Sequence, residues 1–171
     1  VDELSNWYVR RSRRRFWKSE SDTDKLSAYT TLYQCLVTLA KLLAPFTPYL
    51  AEELYQNLVR SAYPEAPESI HLTDFPVGDE KKIDKQLTDA IHLAIKISSL
   101  GRAARSEAKI KVRQPIGEAI VKVASAGEKE NLKLVIPQIL DELNVKEIKV
   151  VEKETELGGA DYMSCTEGNY A

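Results

Sequence analysis

The chain has 171 residues and a formal charge of −2, which is enough for one medium domain or two small ones around a hydrophobic core. Its composition, with 43% hydrophobic and 29% charged residues, is that of an ordinary globular protein. No apolar run approaches the length of a membrane span, and the first residues lack the pattern of a signal peptide, so none is expected. A pI near 5.8 argues against indiscriminate binding of polyanions.

The cysteines and the ends of the chain each give one prediction. Cys35 and Cys165 lie far apart in sequence and predict reduced thiols of a cytoplasmic protein rather than a disulfide. The chain opens on Val1, where the pattern already resembles the interior of a helix, and it ends on CTEGNYA without a helix stop signal. We therefore expect a piece of a longer chain.

Three helices are predicted in the first 60 residues. Residues 2–18 contain no Gly or Pro, and the polar stretch 19–24 that follows is rich in helix-capping residues. Apolar residues then recur at steps of three and four over 25–44, which indicates an amphipathic helix. Pro48 opens the next helix, 48–60, at an early position where its missing N–H costs nothing.

A loop and a long helix come next. Residues 61–78 hold three prolines and a glycine and predict a loop, with a short extended piece at Ile70–Leu72. Asp79 is the predicted N-cap of a helix that continues to about Ala108. Its predicted inner face comprises Ile83, Leu87, Ile91, Ala94 or Ile95, and Ser98.

After about residue 108, apolar and polar residues alternate over short stretches, which is typical of strands. The predicted elements are a strand at 109–112, a strand at 116–124 after Pro115, a helix at 128–143 that Pro137 kinks or breaks, and a strand at 145–151. The predicted fold is mainly α: an antiparallel helical bundle over residues 1–108, followed by a small α/β appendage over 109–171. The tail beyond Glu152 is poor in apolar residues and is expected to be mobile or truncated.

The segment WYVRRSRRRFW, residues 7–17, concentrates five arginines and both tryptophans. Residues 1–18 carry a net charge of +4, which leaves −6 on the rest of the chain. Such a focused positive patch indicates a defined anionic partner. Guanidinium groups also stack on aromatic rings and fork onto phosphate oxygens, which favours RNA.

A helical wheel divides this segment into two main sides. We predict a structural side, formed by Leu4, Trp7, Tyr8, Arg11 and Arg15, and an RNA-binding side, formed by Arg10, Arg13, Arg14 and Trp17 with Lys18 beyond it. The alternative is that the arginines pair with acidic residues of neighbouring helices, such as Asp24, Glu52 or Glu53.

A second basic run contains Arg102, Arg105, Lys109, Lys111 and Arg113, opposed only by Glu107. Two explanations stay open for it. Arg102, Arg105 and Arg113 are candidate contacts to RNA, but cations also suit the C-terminal end of a helix, where they stabilise the macrodipole.

Signatures of catalysis are not found in the sequence. Neither a phosphate-binding P-loop nor a dinucleotide-binding glycine motif occurs. His71 and His92 lack the spacing of metal ligands, and no nucleophile with a neighbouring base can be identified. The residues alone therefore predict a binding module with no catalytic site and no metal site.

Four stretches resemble isoleucyl-tRNA synthetases: LSNWYVRRSRRRFW, APFTPYLAEELYQNLV, SIHLTDFP and GRAARSEAKIKVRQPI, which together extend from Leu4 to Ile116. The resemblance implies a helical-bundle domain that grips the anticodon arm of isoleucine tRNA. It also implies a parent enzyme that esterifies isoleucine to this tRNA, with ATP and Mg²⁺ in a separate catalytic domain. The His-Ile-Gly-His and Lys-Met-Ser-Lys-Ser signatures of that domain do not occur here.

The partners implied are isoleucine tRNA and the remainder of the synthetase chain, with no membrane. On this interpretation the tRNA-binding residues are Arg10, Arg13, Arg14, Trp17, Lys18, Arg102, Arg105 and Arg113. Two alternatives remain: the equivalent domain of a valyl-tRNA synthetase, and a non-enzymatic helical module that docks an acidic protein through its arginines.

Overall fold

A computed structural model describes residues 2–18, 21–123 and 125–151. In these ranges it contains five α-helices and one two-stranded sheet, which confirms a mainly α fold with a small α/β part. In chain order, a π-helical stretch at Glu3–Val9 leads into α1 (Arg10–Lys18), α2 (Asp22–Leu43), α3 (Pro48–Tyr55), α4 (Lys85–Glu107), β1 (Ile116–Lys122), α5 (Ala126–Leu143) and β2 (Val145–Val151).

The chain forms two compact units, one ending at Asp79 and the other beginning at Glu80. The predicted domain boundary after residue 108 followed the change from helix to strand pattern. The compact units follow packing instead: α4 packs along α5 and thereby joins the unit that contains the strands.

Alanines and two larger side chains form the core of the first unit. Its centre consists of Ala40, Ala44, Ala51, Tyr55 and Ile70, with Leu54 and Val59 packed against it. Alanines at the contact let α2 and α3 approach each other closely, as ridge-into-groove packing allows. The Tyr55 hydroxyl donates to the Pro67 carbonyl at 2.9 Å, which ties the following loop to α3.

The loop contains one departure from prediction. Ile70–Leu72 is a short 3₁₀ turn and not an extended piece. The Ser69 hydroxyl caps the turn by accepting from the His71 amide at 3.2 Å. Burial of Ile70 in the core then fixes the turn against α3.

In the second unit, α4 begins later than predicted. Its N-cap is Asp84, whose carboxylate accepts from the Leu87 amide at 2.9 Å, so the predicted cap Asp79 lies before the helix. The predicted inner positions Ala94 and Ser98 are buried, whereas Ile83 and Leu87 are exposed because they lie at or before the first turn.

A strand–helix–strand motif completes the second unit. β1 and β2 pair in parallel, with Ile116 opposite Val145 and Lys122 opposite Val151, and α5 provides the crossover. Of the kink or break predicted at Pro137, the break is absent, since α5 is continuous through this residue. The predicted strand at 109–112 was wrong. Lys109, just after α4, adopts the left-handed region at φ 57°, and a turn follows.

No helix in the described ranges is long and apolar enough to cross a lipid bilayer. Cys35 is a free, half-buried cysteine. The predictions for Cys165 and for the tail beyond Glu152 lie outside the described residues.

Candidate nucleic-acid interface

One flank of α1 attaches the arginine-rich segment to α2. Ser12 and Phe16 are buried, and the Phe16 ring lies 5.0 Å from the ring of Tyr29. Before α1, the Tyr8 hydroxyl donates to the Ala28 carbonyl at 3.2 Å. These contacts fix the rotation of α1 about its axis, which decides which arginines face outward.

Arg15 lies on the structural side, as predicted. Its guanidinium forks onto the Asp24 carboxylate, with Nη2 2.7 Å from Oδ1 and Nε 3.0 Å from Oδ2. These hydrogen bonds raise the pKa of Arg15 above its ordinary value. Arg11 stacks over Trp7 at 5.2 Å from the ring centroid, so the second arginine of this side is also held by the protein.

The opposite side of α1 is exposed. It presents the side chains of Arg10, Arg13, Arg14 and Trp17, the last with 77% of its surface exposed. The Arg10 Nε donates to the Asn6 carbonyl at 2.8 Å, which holds that guanidinium along the helix. The side chains of Arg13 and Arg14 make no hydrogen bond or ion pair within the described part of the chain.

The four exposed side chains are those predicted to bind RNA, and the structure brings them together on one face. The backbone of Lys18 forms the last turn of α1, and its side chain lies outside what the structure describes. Three guanidinium groups beside an exposed indole ring can bind phosphates and stack on an unpaired base.

The second basic run lies in the second unit, where its members have different environments. Arg102 is half exposed, and its Nη2 donates to the buried Glu142 carboxylate at 3.0 Å. Arg113 is exposed in the turn before β1. This run therefore does not form one uniform cationic surface.

Arg105 departs most from its predicted role. Only 4% of the residue is exposed, and burial lowers the pKa of its guanidinium. Nη1 donates to the carbonyls of Lys111 and Gln114, and Nη2 to those of Leu143 and Asn144. With its donors turned to the backbone, Arg105 is not available to a phosphate, and we assign it a structural role in place of the predicted contact with RNA.

Asn144 was not singled out from the sequence. It follows α5 in the left-handed region at φ 50°, a position where Asn is favoured. Its Nδ2 donates to the carbonyls of Val112 and Arg113, each at 3.1 Å. An Asn directly after an apolar helical pattern signals this C-terminal cap, but its partners in the turn before β1 lie more than 30 residues away.

Across the described ranges, no group of three or more His, Cys, Asp or Glu side chains could hold a metal ion. A hollow of about 340 Å³ at the start of α2 is lined by Asp22, Lys25, Leu26 and Tyr29.

Comparison with known proteins gives consistent matches. A model of the anticodon-binding domain of tRNA ligase matches residues 1–123. The isoleucine–tRNA ligase of Dehalococcoides mccartyi is 62% identical over 170 residues, which cover 99% of this chain and 17% of that protein. That of Thermus thermophilus is 49% identical over 157 residues, which cover 92% of this chain and 15% of that protein. The chain thus spans less than a fifth of the length of these relatives.

Proposed function

Because this chain belongs to the family of anticodon-binding domains of tRNA ligases, we propose that it binds the anticodon arm of isoleucine tRNA within an isoleucine–tRNA ligase. The remainder of that ligase would carry out ATP-dependent aminoacylation. ATP and Mg²⁺ would bind in its catalytic domain, outside this chain. The work of the present chain is to select and position the tRNA.

The exposed face of α1 carries this proposal. Guanidinium groups of Arg10, Arg13 and Arg14 would bind phosphates of the anticodon arm, and the Trp17 ring would stack on an unpaired base. Arg15 is occupied by Asp24, so its guanidinium is not among these phosphate contacts.

Three further predicted contacts stay in the proposal. Lys18 is the last residue of α1 and directly follows Trp17. In the second unit, Arg113 is exposed, and Arg102 has 42% of its side chain exposed despite its bond to Glu142. We rank Arg102 below Arg113, because a phosphate would compete with a carboxylate already bound.

The test is a titration of the full-length ligase with isoleucine and valine tRNA transcripts at several salt concentrations. Arg13→Gln and Arg14→Gln should each lower the slope of log K against log salt by about 0.7 to 0.9 for each phosphate that the arginine neutralises. Trp17→Ala should weaken binding by about 1–3 kcal/mol, the contribution of one stacked base, with little change in slope.

Arg15→Gln is the matched control, because it removes the same charge from the same helix on the side that faces Asp24. Its salt slope should stay close to that of the parent. A stronger preference for valine tRNA would favour the valyl alternative. Equal tRNA binding by all the variants would contradict the proposed interface and favour a module that docks an acidic protein.

A further inference from the structure

The turn between α4 and β1 has its carbonyl groups tied to the interior of the second unit. The Arg105 Nη1 binds the carbonyls of Lys111 at 3.2 Å and Gln114 at 3.0 Å. The Asn144 Nδ2 binds the two carbonyls between them, those of Val112 and Arg113. Four successive carbonyl oxygens are therefore held by two side chains.

This arrangement determines where the amide groups of the turn point. In a planar trans peptide the N–H is directed opposite to the C=O of the preceding residue. Because the carbonyls of Lys111 and Val112 point toward Arg105 and Asn144, the amides of Val112 and Arg113 point away from these two side chains. In the portion of the chain that the structure describes, neither amide donates to a protein acceptor. Two successive amides without a protein acceptor in a turn can form an anion-binding concavity.

The turn is held before any ligand arrives. Arg105 is buried and also donates to the Leu143 carbonyl at 2.6 Å, which joins the turn to the end of α5. The Gln114 amide closes the turn on the Lys111 carbonyl at 2.9 Å. A preorganised site binds with a smaller loss of conformational entropy than a mobile loop does.

The side chains of the turn add positive charge near these two amides. Lys111 and Arg113 are exposed on either side of Val112, and Lys109 is exposed at the end of α4. No acidic residue occurs between Lys109 and Ile116. The turn thus combines two amide donors with flanking cations, a combination that suits one phosphate group.

We propose that the Lys111–Gln114 turn is a preorganised phosphate site, in which the amides of Val112 and Arg113 and the side chains of Lys111 and Arg113 bind a phosphodiester of the bound RNA. Arg105 and Asn144 are its positioning residues, since they hold the carbonyls away from the ligand. This inference rests on the proposed function and adds a second contact surface to it.

The experiment uses the full-length ligase and isoleucine tRNA. Lys111→Gln and Arg113→Gln should each lower the salt slope by about 0.7 to 0.9. Lys133→Gln is the matched control, because it removes the same charge from an exposed position on α5 and should leave the slope unchanged. Hydrogen exchange of the segment 110–114 is measured with and without tRNA, and tRNA should slow it.

Asn144→Gly tests the positioning role without changing charge. Glycine adopts the left-handed conformation of this residue freely, so the backbone is kept while the two hydrogen bonds to the turn are removed. Exchange in the turn of the free protein should become faster, and tRNA affinity should fall severalfold. If tRNA slowed exchange of the turn in this variant as much as in the parent, the positioning role of Asn144 would be contradicted.

The outcomes separate this site from the proposed function. Unchanged salt slopes and unchanged exchange on adding tRNA would overturn the phosphate site. If Arg13→Gln still lowered the slope in that case, the proposed function would stand. Protection of the turn by inorganic phosphate but not by tRNA, at equal phosphate concentration, would overturn the assignment to RNA.

Discussion

Glu52 shows how a single carboxylate organises the first unit. Its Oε1 accepts from Gln56 Nε2 at 2.6 Å, and its Oε2 accepts from the Ser69 hydroxyl at 2.7 Å and the Ile70 amide at 3.0 Å. The hydrogen bonds from Gln56 and Ser69 lower the pKa of this carboxyl below its ordinary value. From the sequence, Glu52 was one possible partner of the arginines, but its acceptor oxygens are used to hold the loop on α3.

The lowered pKa of Glu52 predicts a pH-dependent contribution to stability. A carboxyl whose pKa is lower in the folded state stabilises the fold fully above its ordinary pKa of 4.5 and loses that contribution as the pH falls through the folded value. Glu52→Gln should therefore lower the free energy of unfolding at neutral pH, and the difference from the parent should shrink below pH 4.5. Urea unfolding across this range measures it.

Ser69→Ala provides the comparison for this prediction. This change removes one donor to the charged carboxylate. The pH-dependent effect of Glu52→Gln should therefore be smaller in a Ser69→Ala background than in the parent. A difference that stays constant from neutral to acidic pH would contradict an ionised, hydrogen-bonded Glu52.

At the scale of elements, the contact of α4 with α5 depends on a glycine in the middle of a helix. A Cβ added at Gly101 would lie 2.6 Å from Leu143 Cδ1 and 2.7 Å from Cδ2. Leu143 is buried at the end of α5, so it has little room to move. Gly101 costs helix propensity, but it allows the two helices to approach closely.

Gly101→Val should destabilise the second unit by about 1–3 kcal/mol, because the added methyl groups overpack the contact with Leu143. Urea unfolding of the single and double variants measures the effect. Leu143→Ala alone should cost about 2–5 kcal/mol through the cavity it leaves. The pair should cost less than the sum, since each change offsets the other, and simple additivity would contradict a direct contact.

For the whole molecule, the relevant quantity is the distribution of charge. The first 18 residues carry a net charge of +4 and the rest of the chain carries −6. The N-terminal segment therefore attracts an anion locally, while the rest of the chain repels it weakly. A long-range field of this kind acts on the phosphate charges and not on the bases, so it raises association rates without selecting among tRNAs.

Removing a negative charge from the rest of the chain tests this distinction. Glu130 is exposed on α5, and Glu130→Gln should raise the association rate of the full-length ligase with tRNA by less than about twofold, because salt screens exposed charges. Stopped-flow mixing with isoleucine and valine tRNA should show the same ratio for both. A change in preference between the two tRNAs would place Glu130 in a specific contact instead.

The sequence by itself determined most element types and the division of α1 into two sides. Apolar periodicity located α2, α3 and β2 to within a few residues, because local patterns record which face is buried. Five arginines without an acidic residue between them marked the cationic segment. The helical wheel correctly predicted that Arg13 and Arg14 are more exposed than Arg15. The role of these residues in RNA binding remains a prediction.

Only the tertiary structure shows which residues of the second basic run are buried and to which compact unit α4 belongs. Arg105 and Arg113 are chemically alike in sequence, yet one is buried among carbonyls and the other is exposed. The difference arises because the end of α5, more than 30 residues away, supplies Leu143 and Asn144 to the turn before β1. Local pattern carries no record of such distant hydrogen bonds, since they depend on which surfaces meet after folding.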